Sequence, residues 1–294
     1  MSLRLLFEHL KLTCTSSIYS GARGRVFESF HWAHAAAVKC EALARLYTHD
    51  QSTPVPEEFS RLYWVAFIFE GDFVSEISAT LPSGIARFEE RVPYPTFKGA
   101  TDPAGSQHEE LVAFQITTNA SIRRFLNRVN SAVYNAKEQQ RRQRDRRTDH
   151  AAWLLRISQD LWAHHAAVYR NLPGFLLTSN EEARDQTVFS PSSINPFADS
   201  PTARIEGMAP RGNNVWNILR LKGRYYAGQY IIHRPFVEYA VLNADSFGVH
   251  PKREQILNGC RMCFQGCMGF IRVFDTEPAN SITCLFATGM VYGI

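Results

Sequence analysis

The sequence has few cysteines and no apolar run long enough to cross a membrane. Its 294 residues include six unevenly spaced cysteines, which excludes the disulfide framework of a small secreted domain and favours a reducing intracellular compartment. Glu8 and Lys11 lie where a signal peptide would be apolar throughout. The charge-free tail, residues 278–294, falls short of the ~20 apolar residues of a membrane span. We therefore expect no membrane partner. Because the sequence stops inside this tail, we also expect it to be incomplete at one or both ends.

The sequence motifs of several enzyme classes are missing as well. The chain lacks the Gly-x4-Gly-Lys-Ser/Thr phosphate loop, the GxGxxG turn, the GxSxG nucleophile elbow and the HExxH zinc pair. We therefore predict that the protein is not an enzyme and that it holds no cofactor.

Alternating polar and apolar residues, the usual sign of a strand, are absent too, whereas helical periodicity is frequent. With 45% hydrophobic residues, the chain can bury a large core. These patterns predict an all-α fold, a single large irregular domain of about eight to ten helices over residues 1–294. The predicted helices cover 3–18, 25–48, 59–80, 108–136, 150–170, 213–234, 252–273 and 280–292.

The helix at 59–80 is predicted to lie at the centre of the core. Its run LYWVAFIF is apolar on every face, as expected of a helix that neighbouring helices surround. Pro82 prevents its continuation, and Gly84 can adopt backbone angles that are closed to other residues, which predicts a sharp corner. Arg61 and Glu70 lie at opposite ends of the apolar run, so each is expected to find its own polar partner.

Two further helices are predicted from spacing. Between 108 and 136, apolar residues recur every three or four positions around Phe125, with Arg123, Arg124 and Arg128 between them, which is typical of an amphipathic surface helix. The helix that begins near Asn213 is expected to end at Arg234, because Pro235 disfavours helical geometry in the residue before it. The Ser/Pro-rich segment 178–212 is predicted to be a mobile surface loop.

Positive charge is concentrated in one segment. The net charge is +4, and residues 123–147 alone carry nine Lys or Arg and two Asp or Glu. Three interpretations stay open for the end of this segment: a nuclear-import signal, a phosphate-contacting patch, or a solvated helix end. The residues concerned are Arg141, Arg142, Arg144, Arg146 and Arg147.

Cysteines and histidines offer two sets of candidate metal ligands. Cys260, Cys263 and Cys267 would share one helix face, but no second pair of ligands stands nearby, and we interpret them as packing residues with a zinc site as the alternative. The other set would combine two helices into a metal hydrolase, although the sequence does not show that the helices meet. Its members are His31, His34, Asp160, His164 and His165. The alternative interpretation is that these histidines, which stand among alanines, belong to tightly packed helices and have their polar tips at the surface.

In residues 60–95 an arginine precedes an aromatic-Trp pair, an acidic residue follows, and a Leu-Pro-x-Gly-Ile turn leads to Pro-Tyr-Pro. This pattern resembles the fungal-specific transcription factor domain, or middle homology region, of zinc-cluster regulators. IRRFLNRVNSAVY at 122–134 and GRYYAGQYIIHRPF at 223–236 are similar to later stretches of the family. The matching positions are Arg61, Tyr63, Trp64, Glu70, Leu81, Pro82, Gly84, Ile85, Pro93, Tyr94, Pro95, Arg234 and Pro235.

The resemblance implies a nuclear regulator of RNA polymerase II transcription, in which this helical region receives a signal and modulates DNA-binding or activating parts. Family members bind DNA through an N-terminal cluster of six cysteines, and no such cluster precedes the helices here. Zinc is therefore expected only if a cluster lies upstream. The partners implied are DNA through that cluster, the transcription machinery or regulatory proteins, a small-molecule effector, and a second copy in a homodimer.

Two other functions stay open. A stand-alone interaction scaffold that has lost DNA binding would fit the same residues. A small-molecule-binding or metal-dependent helical enzyme would need an enclosed site with convergent polar groups such as His31, His34 or Asp160.

Overall fold

The computed structural model describes residues 3–49, 54–76, 81–96, 103–142, 150–177 and 215–275. Within these ranges the chain is helical and contains no strand, which confirms the all-α prediction. None of the helices described there is long and apolar enough to cross a membrane. In the part of the chain that the structure describes, short 3-10 helices cover Ile85–Phe88 and Gly174–Leu176, and eight α-helices are present: α1 (Leu3–Ala22), α2 (Val26–His49), α3 (Glu57–Glu76), α4 (Pro103–Arg142), α5 (His150–Arg170), α6 (Val215–Leu242), α7 (Ala244–Phe247) and α8 (Arg253–Phe274).

The described residues fall into two compact units. Unit 1 holds those up to Arg124 together with Phe274 and Asp275, and unit 2 holds those from Phe125 to Val273. The division therefore falls inside α4, between two consecutive residues of one helix. The predicted loop at 178–212 and the predicted helix at 280–292 lie outside the described residues.

In unit 1, α1 and α2 form an antiparallel pair. The turn between them contains Gly24, whose φ of 71° suits glycine best. Two buried serines face each other across the pair: the Oγ of Ser17 donates to the carbonyl of Ser29 at 2.8 Å, and the Oγ of Ser29 donates to the carbonyl of Ser17 at 2.7 Å. The reciprocal bonds satisfy both hydroxyls where the helices approach closely.

Helix α3 supplies the centre of the unit 1 core, as the sequence predicted. Phe59, Tyr63 and Trp64 are fully buried. The helix runs antiparallel to α2, because Tyr47 lies against Phe59 with ring centroids 5.0 Å apart and Phe30 lies against Phe73 at 5.9 Å. Burying a large aromatic side chain contributes about 1.5–3 kcal/mol to the free energy of unfolding relative to exposing it.

Helix α6 is the central element of unit 2. Leu221, Ile231 and Ile232 are buried, and Phe236 packs with Leu154 of α5 and Ile256 of α8 in one apolar cluster. The sequence predicted that this helix ends at Arg234, and that prediction is wrong, since α6 continues through Pro235 to Leu242. Pro235 removes one backbone hydrogen bond, and the burial of Phe236 just beyond it offsets that loss.

One basic residue of α4 is buried, against the prediction of a surface position. Arg123 is 2% exposed, and its Nη1 lies 3.4 Å from Oδ1 of Asp72 and 3.2 Å from Oγ of Ser75. Its side chain packs on Gly71 of α3, where a Cβ atom would come within 3.0 Å of the Arg123 Cδ. Because Gly71 has no side chain, the Arg123 side chain can pack directly against α3. The periodicity of α4 alone does not show this contact, and it therefore placed Arg123 on the surface.

Candidate functional site

Residues 81–96, called here the corner segment, are held against α3 by hydrogen bonds with four of its side chains, those of Glu57, Tyr63, Trp64 and Glu70. The hydroxyl of Tyr63 donates to the carbonyl of Ile85 at 2.8 Å, and Nε1 of Trp64 donates to the carbonyl of Pro93 at 2.8 Å. Glu70, one turn and a half further along α3, accepts from Ser83. The family resemblance singled out positions spread over 36 residues of sequence. Hydrogen bonds bring several of these positions together in the corner segment and α3.

Gly84 provides the bend that the corner segment needs. Its φ is 95°, in the left-handed region that side-chain-bearing residues rarely adopt. The 3-10 helix Ile85–Phe88 begins directly after it and directs Ile85 and Phe88 into the unit 1 core, where both are buried. The sequence-based expectation for Gly84 is confirmed.

Trp64, Tyr94 and Arg124 form a stacked group at the far end of the corner segment. The rings of Trp64 and Tyr94 are stacked with centroids 4.6 Å apart, and the guanidinium carbon of Arg124 lies 5.9 Å from each centroid. Nη1 of Arg124 also donates to the Tyr94 hydroxyl at 3.0 Å, and the guanidinium pairs with Glu89 and Glu90. Cation–π attraction and these ion pairs join α4 to the Pro-Tyr-Pro stretch.

Glu70 is the most enclosed charge of the corner. It is 3% exposed; its Oε1 accepts from the backbone N–H of Ser83 and from Nδ1 of His34, both at 2.8 Å, and its Oε2 accepts from the Ser83 hydroxyl at 2.7 Å. One carboxylate thereby links α2, α3 and the start of the corner segment. The predicted polar partner of Glu70 is present.

The end of the corner segment is bound by a second carboxylate. Glu57, in the first turn of α3, accepts from the backbone N–H of Thr96 at 3.1 Å and from the Nε of Arg61 at 3.1 Å. Arg61 also lies 3.8 Å from Glu109. Arg61 therefore has its own partners, as predicted, and fixes the carboxylate that receives Thr96.

In unit 2, three polar side chains of α5 reach carbonyl groups of α6. Ser158, His165 and Tyr169 share one face of α5 and donate to the carbonyls of Ile232, Tyr225 and Leu221 at 3.4, 3.0 and 3.0 Å. The acceptor numbers fall as the donor numbers rise, so the two helices run antiparallel. These carbonyls are bonded within α6 as well, and each uses its second lone pair here.

His165 lies at the centre of an aromatic group, called here the His165 cluster. Its ring stacks between those of Phe125 and Tyr225, at 5.7 and 5.6 Å, and it also contacts Trp162 and Tyr169. Gly228 of α6 makes room for it, because a Cβ atom there would lie 2.3 Å from the ring. The sequence interpretation placed the polar tips of this helix at the surface, and for His165, which is 1% exposed, it is wrong.

The His165 cluster keeps its histidine neutral. Burial is the main cause that lowers the pKa of His165 from 6.5 to about 4, although the hydrogen bond to Tyr225 opposes the shift. Burial also lowers the pKa of His233, whose ring lies 5.7 Å from that of Trp162. A neutral, tightly packed histidine serves here as a directional donor to a backbone carbonyl.

We expect the depressed pKa of His165 to make unit 2 less stable in acid. Below its unfolded pKa of 6.5, the unfolded chain binds a proton that the folded chain excludes, so the free energy of unfolding falls as pH falls toward the folded value. Between about pH 7 and about pH 5 the protonation of this histidine in the unfolded chain should lower the free energy of unfolding by about 2 kcal/mol. Urea unfolding at both pH values, followed by circular dichroism, measures the loss.

The matched variant is His165→Gln, which keeps an N–H donor for the Tyr225 carbonyl but does not titrate. Its free energy of unfolding should depend less on pH than that of the wild type by the same amount. Equal pH dependence in the two proteins would contradict the assignment of the acid sensitivity to His165.

The other predicted metal ligands belong to two different units. His34 bonds Glu70 in unit 1, whereas Asp160 and His164 are exposed residues of unit 2. No three His, Cys, Asp or Glu side chains within the described ranges are placed to hold a metal ion.

The cysteines of α8 are free thiols that line its buried side. Cys263 is buried, with its Sγ 3.7 Å from the Tyr230 carbonyl, and Cys260 and Cys267 are half-buried. A hydrogen bond with Cys267, together with burial, raises the pKa of Cys263. Burial and a raised pKa fit the packing interpretation, since a metal ligand has to be a thiolate.

The basic segment is described only in part. Arg141 and Arg142 are the last two residues of α4, and Arg144, Arg146 and Arg147 lie outside the described residues. The import and phosphate-contact interpretations therefore stay predictions.

Sequence reasoning missed the α5–α6 bonds. A signal was available, because Ser158, His165 and Tyr169 are spaced by seven and four residues, and Gly228 interrupts a helical pattern. An isolated glycine within a helix often marks a close packing contact.

Comparison of the chain with protein-family models, with curated proteins and with solved structures finds no match in any of the three.

Proposed function

We propose that this chain is the regulatory middle-homology region of a fungal zinc-cluster transcription factor, acting in the nucleus on RNA polymerase II transcription. The observation that supports the proposal most is the corner, where positions of the family pattern are joined. Trp64 bonds the carbonyl of Pro93 and stacks on Tyr94, Glu70 bonds Ser83, and Gly84 provides the bend. A resemblance whose matching residues are separated in sequence but bonded in the structure is less easily explained by chance than a match over one contiguous stretch of sequence.

The proposed role is to receive a signal and to change the availability of DNA-binding or activating parts that lie outside this chain. Such coupling requires two states of the region with different affinity for an effector, which is a small molecule or a regulatory protein. Zinc and base-specific DNA contacts belong to those other parts. The basic end of α4 would serve nuclear import.

Tethering tests the proposal. The whole chain is fused to a heterologous DNA-binding domain in fungal cells, and a reporter under that domain's sites is measured against the DNA-binding domain alone. We expect transcription to change, and the change to disappear with Trp64→Ala, which disrupts the corner, but to persist with the exposed-site control Phe27→Ala. A folded fusion without any effect on the reporter would contradict a regulatory role and favour the interaction scaffold.

A further inference from the structure

Helix α8 carries apolar side chains on two different faces. One face packs on α6, where Ile256, Cys263 and Phe270 are buried. On the other face Phe264, Met268 and Ile271 are 59%, 50% and 44% exposed. Their spacing of four and three residues places them in one row along the helix, called here the α8 stripe. Exposed apolar rows of this kind mark surfaces that bind other proteins.

The α8 stripe has positive charge at both ends and no acidic residue between them. Arg261 precedes Phe264 by three residues, Arg272 follows Met268 by four, and both are exposed. Within the described residues no ion pair joins either guanidinium to a carboxylate, and Glu254, the acidic residue in the first turn of α8, pairs with Arg253. From residue 255 to residue 274 the helix contains no Asp or Glu; the exposed Asp275 comes after its end and limits the positive region there.

A second exposed row, on α1, shows what is particular to α8. Leu5, Leu12 and Tyr19 are 62%, 64% and 63% exposed at seven-residue spacing. The charges beside them neutralise each other, because Lys11 binds Glu8 at 3.0 Å and Glu58 at 2.6 Å. The α1 row therefore offers apolar area without a preferred charge, whereas the α8 stripe offers both.

We propose that the α8 stripe binds an acidic amphipathic helix of a partner protein. Leucine or phenylalanine side chains at three- and four-residue spacing on that helix would pack on Phe264, Met268 and Ile271, and flanking carboxylates would pair with Arg261 and Arg272. The flexible thioether of Met268 adapts to different apolar partners. Charge complementarity at the rim selects the partner and speeds association, while the apolar row supplies most of the affinity. This inference goes beyond the proposed function and does not depend on it.

Fluorescence anisotropy of a labelled synthetic helix tests the inference on the full chain. The probe has about 15 residues, long enough to form a helix on binding, with Leu at positions i, i+4 and i+7 and Glu on the flanks. We expect saturable binding that weakens as salt is added, since exposed charges are screened. Met268→Glu is expected to weaken binding by about tenfold or more, because it places a carboxylate at the centre of the apolar row.

Matched variants separate the two parts of the surface. Arg261→Glu with Arg272→Glu should weaken binding, and the same two positions changed to Lys should retain it, which excludes loss of folding as the cause. Leu12→Glu, on the α1 row, should leave the affinity unchanged. Binding that survives Met268→Glu, equal binding of a probe with Lys on its flanks, or concentration-dependent self-association that competes with the probe would each overturn the inference.

Discussion

Replacing Trp64 with alanine is expected to lower the free energy of unfolding by about 3–5 kcal/mol. The indole is fully buried at the centre of the unit 1 core, and its Nε1 makes the bond to Pro93 that attaches the corner segment to α3. Alanine would leave a cavity, an unpaired carbonyl and a Tyr94 ring without its stacking partner. Urea unfolding followed by far-UV circular dichroism measures the change.

Two further substitutions identify the cause of that loss. Trp64→Phe keeps an aromatic ring but cannot bond Pro93, so it should lose about 1–2 kcal/mol, the value of the hydrogen bond and the smaller ring. Phe27→Ala, at a side chain that is 68% exposed on α2, should stay within about 0.5 kcal/mol of the wild type. If Trp64→Ala were no more harmful than Phe27→Ala, Trp64 would not lie in the core of unit 1.

Glu70→Ala is expected to cost toward the lower end of about 3–5 kcal/mol, the range for breaking a buried charge pair by removing one partner. The carboxylate accepts three hydrogen bonds, so alanine would leave the Ser83 amide, the Ser83 hydroxyl and His34 without their acceptor. The His34 side chain is 33% exposed and can turn to water, which reduces the penalty. Chemical unfolding of the purified variant measures it.

Glu58→Ala is the matched control for Glu70. Glu58 belongs to the same helix, and its salt bridge to Lys11 is at the surface, with the Glu58 side chain 48% exposed. Exposed ion pairs contribute about 0–1 kcal/mol. Glu70→Gln, which still offers one acceptor oxygen, should fall between the two. A Glu70→Ala variant as stable as Glu58→Ala would refute the role assigned to Glu70.

The helices were predictable because a helix depends mainly on the spacing of apolar residues within a short stretch of sequence. The run around Trp64 is apolar on every face, and the structure buries most of it and leaves the rest half-buried. At Pro235 the local rule failed, because the sequence shows the lost backbone bond but not the tertiary packing of Phe236 that offsets it. Arg123 was misplaced for a similar reason, since its burial depends on Gly71 and Asp72, some 50 residues away in sequence.

The candidate site was predictable in its members but not in its bonds. Pro82 and Gly84 predicted a corner, and the charges of Arg61 and Glu70 predicted polar partners. No local pattern indicated that Trp64 would bond Pro93 or that Glu70 would bond Ser83. Those pairings depend on how the segment returns along α3. His165 was misjudged because a histidine among alanines suits a surface as well as a carbonyl-facing interior, and only the neighbouring helix distinguishes the two.

The position of the division between the units has a practical consequence for anyone shortening the gene. Arg123 and Arg124 bind side chains of unit 1, and Leu126 and Val129, within the next two turns of the same helix, are buried residues of unit 2. A stop codon placed at the boundary would leave both arginines in a terminal turn, where backbone hydrogen bonds fray. A piece meant to keep α1 to α3 with their bonds to Arg123 and Arg124 should therefore run several residues past Arg124, with the newly exposed Leu126 and Val129 changed to polar residues.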